Sequence, residues 1–382
     1  MNILMFFPSF PSIGGTEGVM TYMANGFVMS NHNVIICSCN QSIDGKQPCL
    51  NERVKCLLLP SCDIASKENV KSLITYVRIY KIELIINHFS LFGGVKLCSI
   101  VKRKTNIKLI TIHHGNIYPL DINYLIENMP DYRKMIYRKI RPLYRIYKNA
   151  MMYCLHWYNI IHSDRYVLLA KSYLHHFYGC KRVVYINNAI MSDWVDESVN
   201  LKKENVVLFV GRLIESQKRV TLALYIWKKI AACFPDWKFI IVGDGNDRNI
   251  IDKYIYDNEI KNVQMVGFQV PDSYYRLAKV LLVTSSYEGW GLVINEAKLN
   301  RCVPMAFMTY ECLPELINDG KDGFIIKEGN IKDYSDKLKY LMQNEDERIY
   351  MAEEAFKSCA KFSQEAILEK WNILISDLLN KK

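Results

Sequence analysis

Short apolar segments alternate with longer amphipathic segments along the whole chain, and this alternation restricts the fold more than any other feature. In the first half the apolar segments include Asn2–Phe7, Val34–Cys39, Leu84–His88 and Lys108–Ile112. A second series begins at Asn205–Val210. Apolar strands that are separated by helices pair in parallel, with helices on both faces of the sheet. The sequence therefore predicts an α/β protein with doubly wound sheets.

The length of the chain indicates two domains. At 382 residues the chain is longer than a typical single domain. Residues 191–204 are polar, acidic and non-periodic, which is typical of a linker. We predict an N-terminal domain over residues 1–189 and a C-terminal domain over residues 190–364.

Composition and charge suggest a cytoplasmic globular protein with an anionic partner. The chain is 50% hydrophobic and carries a net charge of +10. Its 12 cysteines form no Cys-x2-Cys pair, which favours reduced thiols. No apolar run is long enough to span a bilayer. The apolar start, Met1–Phe7, stops at Pro8 without a basic region or a cleavage site, so we expect a first strand there and no signal peptide.

One stretch in the second half has the features of a ligand site. Val280–Thr284 reads as a buried strand, and helical spacing resumes near Gly291. A strand, a glycine turn and a helix start place backbone N–H groups at the carboxyl edge of a sheet, where anions bind. A carboxylate in such a turn can accept hydrogen bonds from sugar or ribose hydroxyls. We expect a nucleotide-sugar site formed by Glu288, Gly289, Trp290, Gly291, Leu292 and Glu296. The alternative is an ordinary strand-turn-helix with two surface glutamates.

The same stretch resembles a known family. Glu288-x7-Glu296, with Gly-x-Gly after the first glutamate and Ala297 after the second, is similar to the signature of retaining glycosyltransferases of the family-four type. The resemblance is strong from Val206 to Ile326 and weaker before Ile190. It implies the GT-B fold, in which two Rossmann-like domains face a central cleft. It also implies that the acceptor binds mainly to the first domain and the donor mainly to the second, and that a C-terminal helix over residues 365–382 packs back on the first domain.

Two cations in the second half suit a diphosphate. Arg212 follows the strand Asn205–Val210, and Lys218 lies at the start of a helix predicted to run from Glu215 to about Phe234. An arginine fork and a mobile lysine together can hold phosphate oxygens. By resemblance to the family, Arg212 and Lys218 hold the phosphates of the donor, and Gly243 and Phe268 lie beside the nucleotide. Surface charges at a helix start are the alternative.

The first half contributes a glycine loop and histidines. By resemblance, Gly14 and Gly15 belong to a Gly-Gly-x-Glu loop that faces the cleft; a flexible connection is the alternative. His88 and the pair His113-His114 end two predicted strands, at the edge where ligands bind. Relatives often use a histidine here to contact the transferred sugar, and either His113 or His114 would fill that role. A metal site is disfavoured because no third ligand is spaced suitably.

The segment from residue 133 to residue 148 is strongly basic and contains no acidic residue. Pro142 interrupts its helical pattern and predicts two helices or a kink. Four interpretations remain open: a solvated basic face, docking on an anionic membrane surface, binding of an acceptor phosphate, and nucleic-acid binding, which no motif supports. The basic residues are Arg133, Lys134, Arg138, Lys139, Arg141, Arg145 and Lys148.

The resemblance implies a specific reaction. A hexose or N-acetylhexosamine would move, with retention of configuration, from a nucleotide sugar to a glycan or a lipid-linked glycan in surface polysaccharide synthesis such as capsule, O-antigen or lipopolysaccharide. UDP is the favoured nucleotide, neither a cofactor nor a metal is expected, and the enzyme would be cytoplasmic or peripheral on the inner membrane face. One alternative is a GT-B relative that is not a transferase, such as an epimerase or a phosphorylase. A second is an NAD-binding protein, for which the glycine fingerprint is missing.

Overall fold

The computed structural model describes residues 1–12, 14–41, 49–117, 139–191 and 202–380. These residues form two compact units, the first from residues 1–117, 139–191 and 362–380 and the second from residues 202–361. Arg133, Lys134, Arg138 and most of the predicted linker lie outside the described residues. Lys203, at the end of that predicted linker, is anchored: its ammonium donates to the carbonyl oxygens of Tyr275, Ala278 and Asn300 at 3.0, 2.8 and 2.5 Å.

The first unit contains a seven-stranded parallel sheet. Its strands are β1 (Asn2–Phe6), β2 (Asn33–Ser38), β3 (Lys55–Leu58), β4 (Leu84–Asn87), β5 (Lys108–His113), β6 (Arg165–Leu168) and β7 (Val183–Tyr185). Its helices are α1 (Gly15–Met29), α2 (Lys67–Ile79), α3 (Phe92–Thr105), α4 (Arg141–His162) and a 3-10 turn at Lys171–Phe177. The strand order β3-β2-β1-β4-β5-β6-β7 reverses between β1 and β4. Such a reversal opens a crevice at the carboxyl ends of the strands.

The second unit contains a six-stranded parallel sheet. Its strands are β8 (Val206–Val210), β9 (Lys238–Val242), β10 (Val263–Gly267), β11 (Val280–Val283), β12 (Val303–Phe307) and β13 (Phe324–Ile326). Its helices are α5 (Glu215–Lys218), α6 (Val220–Lys228), α7 (Arg248–Asp257), α8 (Asp272–Leu277), α9 (Leu292–Leu299), α10 (Leu313–Leu316), α11 (Ile331–Gln343) and α12 (Glu345–Cys359), with 3-10 turns at Ala231–Cys233 and Ala360–Phe362. The order β10-β9-β8-β11-β12-β13 reverses between β8 and β11. The predicted doubly wound α/β architecture is confirmed in both units.

Burial explains why the strands are apolar along their whole length. Every residue of β4 and of β11 is buried, because helices cover both faces of each sheet. Several cysteines serve as packing residues: burial raises the pKa of the Cys302 thiol to about 12, which keeps the thiol protonated. All 12 cysteines are free thiols.

A last helix, α13 (Gln364–Asn380), belongs to the first unit and packs against α1. The Phe27 and Trp371 rings meet edge to face at 6.3 Å. Gly26 permits a close approach of the two helices, since a Cβ at this position would overlap the Leu368 side chain. No described helix is long and apolar enough to cross a membrane.

One helix prediction differs from the structure, and another agrees with it. The helix predicted from Glu215 to about Phe234 is broken at Arg219, whose backbone is left-handed at a φ of 50°. The predicted break near Pro142 agrees with the described part of the segment: Lys139 is helical, Ile140 is a turn residue, and α4 begins at Arg141 with Pro142 in its first turn, where a missing N–H has no helical partner to lose. From Arg141 to His162, α4 is therefore one helix of 22 residues.

Candidate functional site

The loops that follow β8 and β11 lie at the strand-order reversal of the second sheet. Gly211 and Arg212 follow β8, and the stretch from Ser285 to Gly291 follows β11. Gly243 follows β9 with a φ of 143°, and a Cβ at this position would overlap the carbonyl oxygen of Gly211. Only glycine allows these two turns to approach so closely. The turns therefore expose backbone at the edge where α/β sheets bind ligands.

Lys218 and Glu288 form a nearly buried ion pair at this edge. Their side chains are 14% and 10% exposed, and the lysine ammonium donates to Oε1 of Glu288. The Ser285 hydroxyl donates to the same oxygen at 2.7 Å. The backbone of Lys218 is also fixed, because the Thr284 hydroxyl donates to the Lys218 carbonyl oxygen at 2.8 Å. The structure thus brings together two of the predicted site residues and adds Ser285, which the sequence analysis did not identify.

Arg219 holds the β11 loop against the start of α6. Its guanidinium donates to the carbonyl oxygens of Thr284 and Ser285 at 2.6 and 3.1 Å, and to the Glu328 carboxylate at 2.9 Å. These bonds offset the cost of a left-handed backbone at a residue other than glycine. Arg219, whose role the sequence leaves open, is therefore a positioning residue for the loop that carries Glu288.

Glu296 lies on α9 and is paired with Tyr275. The Tyr275 hydroxyl donates to Oε2 of Glu296 at 2.9 Å. Burial raises the pKa of Glu296 to about 7; the Asp272 charge raises it further, while the Tyr275 hydrogen bond and the Lys218 charge oppose the shift. Glu296 thus titrates close to neutral pH. No sequence pattern pointed to Tyr275 as its partner.

The turn between the two glutamates offers mainly backbone to a ligand. Gly291 caps the start of α9 with a φ of 91°, and the Trp290 side chain is buried in the interior. Leu292 is half-buried, while Arg212 and Phe268 are exposed. The N-terminal N–H groups of α9 therefore supply the positive end of a helix dipole at this edge.

The histidines after β4 and β5 differ in how their rings are bonded. Nε2 of His113 lies 3.0 Å from the Asn116 carbonyl oxygen, which can only accept, so this nitrogen carries the proton. Nδ1 of His113 then accepts from the Ser90 hydroxyl at 2.9 Å. Burial lowers the pKa of His113 to about 3. Both ring nitrogens of His113 are occupied by contacts that hold the loop after β5.

His114 is paired with His88 instead. Nε2 of His114 lies 3.1 Å from Nδ1 of His88, and the two rings stack at 5.2 Å. Burial lowers the pKa of His114 to about 4, so the ring is neutral at physiological pH. This pairing fixes the ring and uses only one of its nitrogens. Of the two candidates His113 and His114, the bonding pattern favours His114 as the ligand-facing ring.

Gly14 and Gly15 lie at the start of α1, after β1 and beside the strand-order reversal of the first sheet. Gly14 is extended, so its conformation is open to any residue. The Glu17 carboxylate folds back over it, and the Ser12 hydroxyl donates to Oε1 of Glu17 at 2.9 Å.

A family model matches most of the second unit. Residues 192–358 match the family model described as "Glycosyl transferases group 1". The matched segment contains Arg212, Lys218, Glu288 and Glu296.

Curated relatives match about half of the chain. The amylovoran biosynthesis glycosyltransferase AmsD of Erwinia amylovora is 32% identical over 218 residues, which cover 55% of this chain and 59% of AmsD. A poly(glycerol-phosphate) alpha-glucosyltransferase of Bacillus subtilis is 28% identical over 184 residues, which cover 47% of this chain and 27% of that protein. The matched segments thus span less than two thirds of the length of these relatives.

Solved structures share the fold over the full chain. A mutant of TarM from S. aureus, solved with fondaparinux, alpha-GlcNAc-glycerol and UDP, superposes with a TM-score of 0.75 at 16% identity and full coverage of both chains. HepE of Anabaena, solved with UDP and glucose, gives 0.72 at 15% identity and covers 99% of this chain and 100% of that one. The predicted GT-B fold is confirmed.

Proposed function

We propose that this protein is a retaining glycosyltransferase that moves a hexose or N-acetylhexosamine from a UDP-sugar to a glycan or lipid-linked glycan in the synthesis of a surface polysaccharide. We further propose that it acts at the cytoplasmic face of the membrane. The observation that carries the proposal is the cluster of Lys218, Glu288 and Ser285 beside the N-terminus of α9, at the ligand-binding edge of a group 1 domain. The names of the relatives support the pathway, and the UDP complexes of the structural neighbours support the nucleotide.

In this proposal the donor phosphates bind where positive charge is concentrated. Arg212, Lys218 and the N-terminal N–H groups of α9 face the diphosphate, and Glu296 accepts hydrogen bonds from the ribose hydroxyls. Lys218 contacts Glu288 through one of its three donors, which leaves donors for phosphate oxygens. Preorganised cations of this kind stabilise the charge that grows on the leaving group.

The reaction breaks the bond between the anomeric carbon and the diphosphate oxygen. The acceptor hydroxyl forms the new glycosidic bond on the same face of the sugar, and its proton passes to the departing phosphate oxygen. Glu288 holds sugar hydroxyls during this step, and His114 is the proposed counterpart of the histidine that relatives use to contact the sugar. The transfer involves no net oxidation or reduction, so no oxidant is required. The two cations together with the helix dipole offset the negative charge of the product diphosphate.

A transfer assay tests the proposal. The enzyme is incubated with a panel of UDP- and GDP-sugars and oligosaccharide or lipid-linked acceptors, and products are analysed by mass spectrometry and by the anomeric coupling constant in NMR. We expect acceptor-dependent transfer with the anomeric configuration of the donor. Lys218→Met should lower the rate by at least about 100-fold, since it removes a preorganised cation, while the surface control Lys253→Met should not. Donor turnover without an acceptor would instead indicate an epimerase, and an inverted product would rule out the retaining mechanism.

A further inference from the structure

An apolar stripe runs along the solvent-facing side of α4 in the first unit. Its large side chains are between 59% and 67% exposed. At 3.6 residues per turn they fall within an arc of about 120° on the helix. We call this set the α4 stripe; its members are Leu143, Ile146, Tyr147, Tyr153 and Ile161. Isolated exposed apolar residues are common on protein surfaces, but five large ones on the same side of one helix mark a surface that contacts something.

The remaining faces of α4 explain why the stripe points outward. Tyr144, Leu155, His156, Asn159 and Ile160 are the buried residues of the helix, and they lie on the side opposite the stripe. His156 fixes this side: its Nε2 donates to the Ile117 carbonyl oxygen at 3.0 Å, and its Nδ1 accepts from the Tyr166 hydroxyl at 2.7 Å. The helix is therefore held to its domain by one side, and the stripe takes no part in that packing.

The charge on α4 is of one sign. The helix contains Arg141, Arg145 and Lys148 and no acidic residue. These cations lie in the first two turns, on the side away from the stripe, and Lys148 sits over the Tyr144 ring at 5.4 Å. Lys139, just before the helix, is also exposed. A helix with an apolar side that includes tyrosines and a strongly basic side is the pattern of segments that lie in the plane of a lipid–water interface.

The positive charge of α4 favours an anionic bilayer over a second copy of the chain as the partner of the stripe. A second copy of the chain would bring the same cations, and another +10 of net charge, toward the stripe without any acidic residue on α4 to balance them. An anionic bilayer supplies both complements, because its phosphates attract the cations and its acyl boundary accepts the apolar side chains. The 22 residues of α4 give a contact of about 33 Å along the surface.

We propose that α4 docks this protein on an anionic lipid bilayer, with the α4 stripe at the boundary between headgroups and acyl chains. Arg141, Arg145 and Lys148, on the side of the helix away from the stripe, add a longer-range attraction between the positive first turns of α4 and the anionic surface. This inference shares with the proposed function only the location at a membrane. It uses neither the donor site nor the transferase reaction, so its failure and the failure of the proposed reaction are distinguishable.

Vesicle sedimentation without nucleotide tests the inference. The full chain is mixed with vesicles of phosphatidylglycerol and phosphatidylcholine, or of phosphatidylcholine alone. One variant carries Leu143→Gln, Ile146→Gln and Tyr147→Gln in the stripe, and another carries Arg141→Glu and Arg145→Glu. A matched control carries Ile250→Gln, Ile349→Gln and Tyr350→Gln in the second unit, where the side chains are between 52% and 59% exposed.

We expect the wild type and the control to bind anionic vesicles equally and phosphatidylcholine vesicles weakly. The stripe variant should bind anionic vesicles at least about tenfold more weakly, because it removes apolar area that enters the interface. The charge variant should lose at least about fivefold per residue, with the larger loss at low salt.

Three results would overturn the inference: no binding by the wild type, equal binding by the stripe variant, or an equal loss in the control. Light scattering without vesicles tests whether a second copy of the chain, instead of a bilayer, binds the α4 stripe. A dimeric wild type that becomes monomeric in the stripe variant, without vesicle binding by either, would identify the stripe as a self-association surface. A melting shift with UDP, measured on every variant, reports separately on the donor site and on folding.

Discussion

At the scale of single residues, two pairs of adjacent residues differ in their hydrogen-bond partners. His113 and His114 are adjacent, but the His113 ring closes hydrogen bonds on both sides, whereas His114 is held from one side by His88. Lys218 and Arg219 are also adjacent, yet Lys218 reaches Glu288 and Arg219 reaches the carbonyl oxygens behind it. In each pair, His113 or Arg219 holds a loop through several hydrogen bonds, while His114 or Lys218 pairs with one neighbouring side chain.

The histidine pair gives the first prediction. His113→Ala removes two buried hydrogen bonds and leaves the Ser90 hydroxyl unpaired, so we expect it to destabilise the protein by about 2–4 kcal/mol. His114→Ala removes one such bond and should cost about 1 kcal/mol, while lowering transfer activity by at least tenfold. Melting temperatures and transfer rates measured on both variants check the assignment. The reverse pattern, with a stable His113→Ala of low activity, would make His113 the ligand-facing ring.

Glu296 gives a prediction about pH. Because burial raises its folded pKa to about 7, above the ordinary carboxyl value, the folded state prefers the protonated form. The contribution of this group to stability is therefore fully present below about pH 4.5 and is lost as the pH rises to 7. The upper limit of this loss is on the order of 3 kcal/mol.

The pH prediction is measured against Glu296→Gln, which stays neutral at every pH. Wild type should lose stability relative to this variant between pH 4.5 and pH 7 in paired melting experiments. A stability difference that is constant over this range would show that Glu296 is ionised in the folded protein throughout.

At the scale of elements, the close approach of the turns after β8 and β9 sets the shape of the carboxyl edge of the second sheet, where we propose that the nucleotide binds. Gly243→Ala would place a Cβ against the carbonyl oxygen of Gly211 and push the two turns apart. We expect at least a tenfold loss of nucleotide affinity, measured by calorimetry. Gly320→Ala is the matched control, because Gly320 also has a positive φ of 75° but has open space around it. Gly320→Ala should lower the free energy of unfolding by about 1 kcal/mol, because alanine is disfavoured at a positive φ, and should leave the nucleotide affinity unchanged. A loss of affinity in Gly320→Ala equal to that in Gly243→Ala would contradict the steric explanation.

Elements are also where prediction from sequence succeeded and failed. The strands could be predicted because their apolar runs reflect burial on both faces, which is a local signal. The break at Arg219 could not, because the bonds that stabilise its left-handed backbone come from Thr284 and Ser285, more than sixty positions along the chain. The helix boundary near Pro142 could be predicted, because proline interrupts a helix that precedes it and is compatible with the first turn of the next one.

At the scale of the whole molecule, the same architecture occurs twice. Both sheets are parallel, and both reverse their strand order beside the loop that carries candidate site residues. Arg212, Glu288 and the glycine turns could be located from the sequence, because each lies in a loop just after a strand end; their roles stay predictions. Partners that are distant in sequence could not be predicted: Tyr275 for Glu296, and His88 for His114. Side-chain pairing of this kind depends on packing, which no local pattern encodes.

The most direct test of the account is a melting-temperature series with UDP, GDP, their common sugar conjugates and NAD. It compares wild type with Glu296→Ala and with the exposed control Glu347→Ala. A ligand at a hundred times its dissociation constant stabilises the folded protein by about 2.7 kcal/mol. We predict a shift with UDP species in wild type and control that is smaller in Glu296→Ala. A shift only with NAD, or none with any nucleotide, would contradict the assignment of the donor site.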